Sequence, residues 1–111
     1  MLIDFEKIEE NVTAGFKGGE GNTVLKAFFD GDVRIMKGRL EPGASIGMHT
    51  HEGNFEIIYI LEGSGKVIYD GRAEALGEGS CHYCPAGHAH SLINDSGDDL
   101  IFFAVVPRTA G

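Results

Sequence analysis

The chain reads as all-β, a single antiparallel barrel over residues 1–111, and three observations predict it. Seventeen glycines in 111 residues imply many tight turns, which suits short strands better than long helices. Turn signals recur at short, regular intervals, among them Asp30-Gly31-Asp32, Pro42-Gly43, Gly53-Asn54, Gly63-Ser64-Gly65, Asp70-Gly71 and Pro85-Ala86-Gly87. Between them lie short segments rich in β-branched and aromatic residues, the pattern of an antiparallel meander or barrel.

Strands are expected near Thr23–Phe29, Val33–Glu41, Ile46–His51, Phe55–Leu61, Lys66–Tyr69, Ala73–Leu76, Ser80–Cys84, His90–Asn94 and Leu100–Val106. Only Phe5–Val12 has helical spacing, with Phe5, Ile8 and Val12 on one side and Asp4 as a candidate cap. From Phe55 to Leu61, alternation puts Phe55, Ile57, Tyr59 and Leu61 on one face and Glu56, Ile58 and Ile60 on the other. Both faces are mainly apolar, and Leu100–Val106 repeats the pattern, so a second layer is expected over the outer face. The chain's own other sheet is one candidate for that layer. A partner subunit is the other and is favoured in so short a chain, which makes a homodimer the expected assembly.

Composition excludes several classes of function. Nine Lys+Arg against 17 Asp+Glu give a formal charge of −8, so the average surface repels phosphate backbones and anionic headgroups, and no nucleic acid partner is expected. The longest apolar run, Leu100–Val106, is seven residues, against the roughly 20 of a membrane-spanning helix. No membrane partner is expected. The acidic N-terminus lacks the basic and apolar stretches of a secretion signal, which favours a cytoplasmic location. Two cysteines, Cys81 and Cys84, are too few for a disulfide scaffold.

The residues that carry chemistry are histidines and one glutamate. His49 and His51 lie two apart, so on a strand both side chains take the same face. Glu56 follows at an odd interval, and the turn signal Glu52-Gly53-Asn54 allows the chain to bend its carboxylate back beside the imidazoles. His90 arrives from a distant strand after the Pro85-Ala86-Gly87 turn. Three neutral nitrogens and a carboxylate suit one divalent transition metal per chain, iron, manganese, nickel, cobalt or zinc, and are too nitrogen-rich for calcium or magnesium. Four such groups turned inward without a cation would be desolvated at a cost of several kcal/mol.

Gly43-x5-His49-x-His51-x4-Glu56-x6-Gly63 and, fifteen residues on, Gly79-x5-Pro85-x-Gly87-x2-His90-x3-Asn94 resemble the two consensus motifs of the cupin superfamily. The resemblance covers Gly43 to Asn94. It implies a double-stranded β-helix, or jelly-roll barrel, with the metal held inside by His49, His51, Glu56 and His90, as in small single-domain bacterial cupins. The segment Ser80-Cys81-His82-Tyr83-Cys84 departs from the aliphatic residues common there in the family. Its Cys-x2-Cys spacing invites a redox or zinc reading, but residues three apart on a strand point to opposite faces, Cα atoms about 10 Å apart, too far for a disulfide or one metal.

Cys81 and Tyr83 therefore share one face and His82 and Cys84 the other, and one pair should line the barrel. An inward Tyr83 would be a candidate proton donor or substrate partner; the plainer reading is a packed aromatic. His88, two before His90, is a candidate general base at the pocket mouth or, more plainly, an exposed turn residue. Arg34, Arg39 and Lys66 lie on expected strands, where one turned inward would anchor a carboxylate. The expected function is a metal-dependent enzyme acting on a small anionic metabolite, by dioxygenase, isomerase, lyase or decarboxylase chemistry. The alternative is a metal-dependent binding or sensing module without turnover.

Overall fold

A computed structural model describes residues 1–109. Ten strands run in the order β1 (Asn11–Ala14), β2 (Asn22–Phe29), β3 (Val33–Leu40), β4 (His49–Thr50), β5 (Glu56–Glu62), β6 (Gly65–Tyr69), β7 (Arg72–Leu76), β8 (Cys81–Cys84), β9 (Ala89–Ile93) and β10 (Leu100–Pro107). They form two antiparallel sheets, one of order β1-β2-β3-β10-β5-β8 and one of order β4-β9-β6-β7. The all-β jelly-roll architecture expected from the sequence is present.

Alternation dictates which residues enclose the interior. On the larger sheet, Met36, Leu40, Ile58, Ile60, Leu100, Phe102 and Ala104 are buried, and they meet Val67, Leu76 and Leu92 of the smaller sheet. Each fully buried Leu, Ile or Phe contributes about 1.5–3 kcal/mol relative to exposure. The Phe102 ring lies directly over Gly38, where any Cβ would overlap it. The outer face of β5 and β10 is only partly covered: Phe5 packs edge-on to Phe103 with centroids 6.3 Å apart, while Tyr59, Leu61 and Tyr83 stay exposed.

Two expectations need correction. The helix expected over Phe5–Val12 is a single 3-10 turn, Phe5–Lys7, capped by the Asp4 carboxylate, which accepts from the Glu6 N–H. The chain then extends as β1, because Val12 and Thr13 are β-branched and the edge of β2 offers them a partner. The strand expected over Ile46–His51 is reduced to His49–Thr50. Ser45 and Gly47 instead donate N–H groups to Glu20 and Phe16 carbonyls, and Ile46 donates to Leu92. Gly47 abuts the Lys17 carbonyl where a Cβ would collide, so the segment Phe16–Glu20 is seated against the wall of the site.

Candidate metal centre

His49 on β4 lies directly opposite His90 on β9, and His51 follows on the same side of the chain. After His51 the backbone turns at Gly53, whose φ of 74° favours glycine. Glu56 thereby opens β5 with its side chain turned inward, resolving the odd interval. His51, Glu56 and His90 are 7%, 7% and 1% exposed.

The donor atoms converge. His51 Nε2 and His90 Nε2 lie 3.0 and 2.9 Å from Glu56 Oε1, His51 Nε2 is 3.0 Å from His90 Nε2, and His90 Nε2 is 3.2 Å from His49 Nε2. Donors about 2.1 Å from a common ion stand about 3.0 Å apart at right angles and about 3.4 Å apart in a tetrahedron. The spacing thus fits four donors of a six-coordinate ion.

The second ring nitrogen of each imidazole is occupied elsewhere. His49 Nδ1 donates to the Gly47 carbonyl across 2.7 Å, and His51 Nδ1 to Asn54 Oδ1 across 2.7 Å. His90 Nδ1 lies 2.9 Å from His82 Nε2, to which it donates when its own Nε2 is the ligand atom. With the protons on Nδ1, as a metal on Nε2 requires, three Nε2 lone pairs and a carboxylate face one point, an arrangement that a cation stabilises. The cluster can hold one metal ion.

Without an ion, His51 and His90 can instead donate from Nε2 to Glu56. Burial raises the Glu56 pKa, but hydrogen bonds from His51 and His90 outweigh it and hold the carboxyl at about 2. Burial lowers the pKa of His49. The hydrogen bond to Glu56 raises that of His51, against opposition from burial and, among the smaller effects, the charge of Lys17. Burial pushes His82 down to about 4, which keeps it neutral and able to accept from His90.

The pair facing inward on β8 is His82 and Cys84, 6% and 0% exposed. Tyr83 is 55% exposed on the outer face, edge-on to Phe55, so the condition for its acting as a proton donor in this barrel's pocket is not met. The pairing of Glu56 with Cys84 across β5 and β8 sets this choice. His88 also lies away from the cavity: its Nδ1 is 3.1 Å from Asp70 Oδ1 and its ring stacks on Tyr69. The turn that carries it holds the site through backbone, the His51 N–H donating to the His88 carbonyl and the Gly87 N–H to the His51 carbonyl.

The cysteines are free and on opposite faces. His82, Cys84 and His90 form a second group of donors within 4.8 Å. However, burial raises the Cys84 thiol to about 11 and its Sγ donates toward the His88 carbonyl at 3.6 Å. A protonated, hydrogen-bonded thiol makes a poor ligand, and we read this group as support behind His90.

A cavity of about 530 Å³ opens beside the ligands and is walled by Phe16, Lys17, Leu25, Met36, Phe102 and Val106. Arg34 lines it too, at the start of the inward face of β3, whereas Arg39 pairs with Glu41 and Asp99 and Lys66 with Asp95. Sequence reasoning missed Lys17 and Asn54 as parts of the site and left His82 as one of two candidates for the inward face of its strand. Of the two that were missed, Asn54 left a signal, as the turn residue between His51 and Glu56.

Comparison with known proteins agrees with this geometry. The family model of the cupin domain matches residues 36–106. The chain is 31% identical to the oxalate-binding protein of Thermotoga maritima, over 96% of this chain and 93% of that one. A solved structure described as a predicted oxalate decarboxylase from Thermotoga maritima superposes with a TM-score of 0.91 at 30% identity, covering 98% of this chain and 100% of that one. An RmlC-like cupin from Shewanella frigidimarina shares the fold, with a TM-score of 0.80 at 18% identity over 97% of this chain and 90% of its own. On the matched domain, the full-length relative and the shared barrel together, the chain belongs to the cupin superfamily.

Proposed function

We propose that this protein binds one divalent transition metal through His49, His51, Glu56 and His90 and uses it to capture a small anionic metabolite through two oxygen atoms. The observation that carries this reading is the convergence of His51 Nε2 and His90 Nε2 on Glu56 Oε1, with His49 Nε2 3.2 Å from His90 Nε2, while each Nδ1 lies within hydrogen-bond distance of a partner outside the cluster. Four protein donors on a six-coordinate ion leave two positions for the ligand. Manganese, iron, cobalt, nickel and zinc all accept this donor set. Oxalate, in the name of the 31%-identical relative, is a dianion with the matching pair of oxygens.

The chain's own residues have definable roles. The three histidines and Glu56 hold the ion, and Lys17 supplies positive charge on the cavity wall. Once a ligand fills the cavity, the apolar walls keep water from around it, which strengthens each electrostatic contact inside. Bound there, the metal supplies Lewis acidity, polarising the oxygens of the captured anion. A second reading, turnover of the anion, is favoured by the placement of Lys17 and Glu52 on the cavity wall, where either can exchange a proton with a bound ligand. We further propose a homodimer through the exposed outer face around Tyr59, Leu61 and Tyr83; a monomeric mass by light scattering would exclude it.

The test is elemental analysis of protein purified anaerobically without added metal, followed by calorimetric titration of oxalate into metal-loaded and chelator-treated protein. The expected result is near one metal per chain and oxalate binding only to the loaded form. Protein that neither carries nor takes up metal would refute the proposal. Carbon dioxide release or oxygen consumption on adding oxalate would establish turnover.

A further inference from the structure

The cavity is much larger than a two-carbon anion requires. Its volume of about 530 Å³ lies within the range of roughly 300–1,000 Å³ for pockets that enclose drug-sized ligands. Oxalate displaces roughly two or three waters, at about 30 Å³ each. Oxalate alone would leave most of the apolar wall in contact with water.

Strand register gives the direction of the extra space. Arg34 pairs with Val106 on one side and Phe29 on the other. Ile57 pairs with Val105, so Glu56 stands one step further, level with Val106. Arg34, Val106 and Glu56 are therefore abreast on β3, β10 and β5; two strand spacings, about 10 Å, separate Glu56 from Arg34, and a third, about 14 Å in all, reaches Phe29 on β2. Leu25, Met36, Phe102 and Val106 line the way. The Arg34 guanidinium lies 5.2 Å from the centroid of the Phe29 ring. Of the three cations on the cavity wall, Arg108 pairs with Asp32, whereas Lys17 and Arg34 have no carboxylate partner among the described residues.

We infer that the ligand is an amphipathic 2-oxo acid, its carboxylate and adjacent carbonyl oxygen at the metal and its apolar chain reaching across Met36 and Phe102 to Phe29. This inference rests on the metal-and-anion reading above and adds the substrate class. A 2-oxo acid keeps the paired oxygens of oxalate on adjacent carbons and so satisfies the same two metal positions. It replaces the second carboxylate with a chain that the apolar wall accepts. Lys17 faces the charged head, and the Phe29 ring, braced by Arg34, closes the far end.

The test is calorimetric titration of the metal-loaded full-length protein with oxalate, pyruvate, 2-oxobutanoate, 2-oxohexanoate and 2-oxooctanoate. Kd is expected to fall along the series by up to about fourfold per methylene, the equivalent of about 0.8 kcal/mol per buried CH₂. 2-Oxooctanoate should bind at least tenfold more tightly than pyruvate. In Phe29→Ala, altered at an exposed side chain, that ratio should fall at least threefold; Leu25→Trp, which fills the cavity, should abolish it. Equal or weaker binding of the longer acids, with oxalate and pyruvate still bound, would overturn the substrate class and leave the metal-and-anion reading standing. Length-dependent binding that persists unchanged without metal would overturn the placement of the head group. Failure of oxalate and every 2-oxo acid to bind would overturn both readings.

Discussion

His82 Nε2 lies 2.9 Å from His90 Nδ1, so one ligand imidazole is oriented by a second, neutral imidazole rather than by the backbone carbonyl or amide oxygen that serve His49 and His51. An acceptor at this place fixes the His90 tautomer and raises the basicity of its Nε2. His82→Leu removes the acceptor and is expected to weaken metal binding by about 10–100-fold. His82→Gln, whose amide oxygen can take over as acceptor, should bind within a few-fold of wild type. Competition with a chelator measures the affinities, and the visible spectrum of cobalt-loaded protein reports the ligand field. A leucine variant with wild-type affinity and spectrum would exclude the positioning role.

Removing a ligand tests the centre itself. His49→Ala and His51→Ala are expected to lose metal by at least an order of magnitude in affinity while retaining the far-ultraviolet circular dichroism of the folded barrel. The fold rests on a core of Leu40, Ile58, Ile60, Leu100 and Phe102, which neither substitution touches. Phe102→Ala makes the contrast, because a cavity over Gly38 should cost about 3–5 kcal/mol of stability. Full metal occupancy in both histidine variants would refute the ligand assignment.

How far the sequence could be read follows from where each feature draws its information. Alternation within β3, β5 and β10 is local, and the His49–His51 spacing and the Glu52-Gly53-Asn54 turn are local too, so the barrel strands and the four candidate ligands were legible. The inward turn of His82 was not, because it depends on the register of β8 against β5, set by Glu56 opposite Cys84. Strand β1 was missed for the same reason: its burial pattern is exposed throughout, so no apolar periodicity marks it, and only the edge of β2 makes it a strand. The seating of Phe16–Glu20 against Ser45–Gly47 likewise joins segments far apart in the chain and brings Lys17 to the cavity.

The two thiols should behave differently. Cys81 is exposed, whereas Cys84 is fully buried and its thiol is pushed up to about 11 by burial. A thiol reagent at mildly alkaline pH should modify one cysteine per folded chain, and peptide mass mapping should place it at Cys81. Metal content should be unchanged. Rapid labelling of Cys84 in the folded protein, or loss of metal on labelling Cys81, would contradict the assigned faces and revive a thiolate ligand.

Acid stability of the metal-free protein tests the buried charges. His82 is 6% exposed, and burial lowers its pKa from 6.5 to about 4. Between those values the unfolded chain takes up a proton that the folded chain does not, so stability falls as pH drops, by about 3 kcal/mol at full titration. Burial of His49 acts in the same direction. The raised pKa of His51 acts oppositely, contributing stability that is complete below 6.5 and lost as pH rises through its folded value. Glu56, held at about 2 against 4.5, contributes stability that is present above 4.5 and lost as pH falls toward 2. Chelator-treated protein should therefore show a urea midpoint that declines from pH 6.5 to pH 4 and declines again below it. His82→Gln should make the upper limb shallower, leaving the part due to His49, and should leave the lower one unchanged. A wild-type midpoint constant from pH 6.5 to pH 4 would mean that His82 is not held neutral, and the His90 Nδ1–H would lose its acceptor.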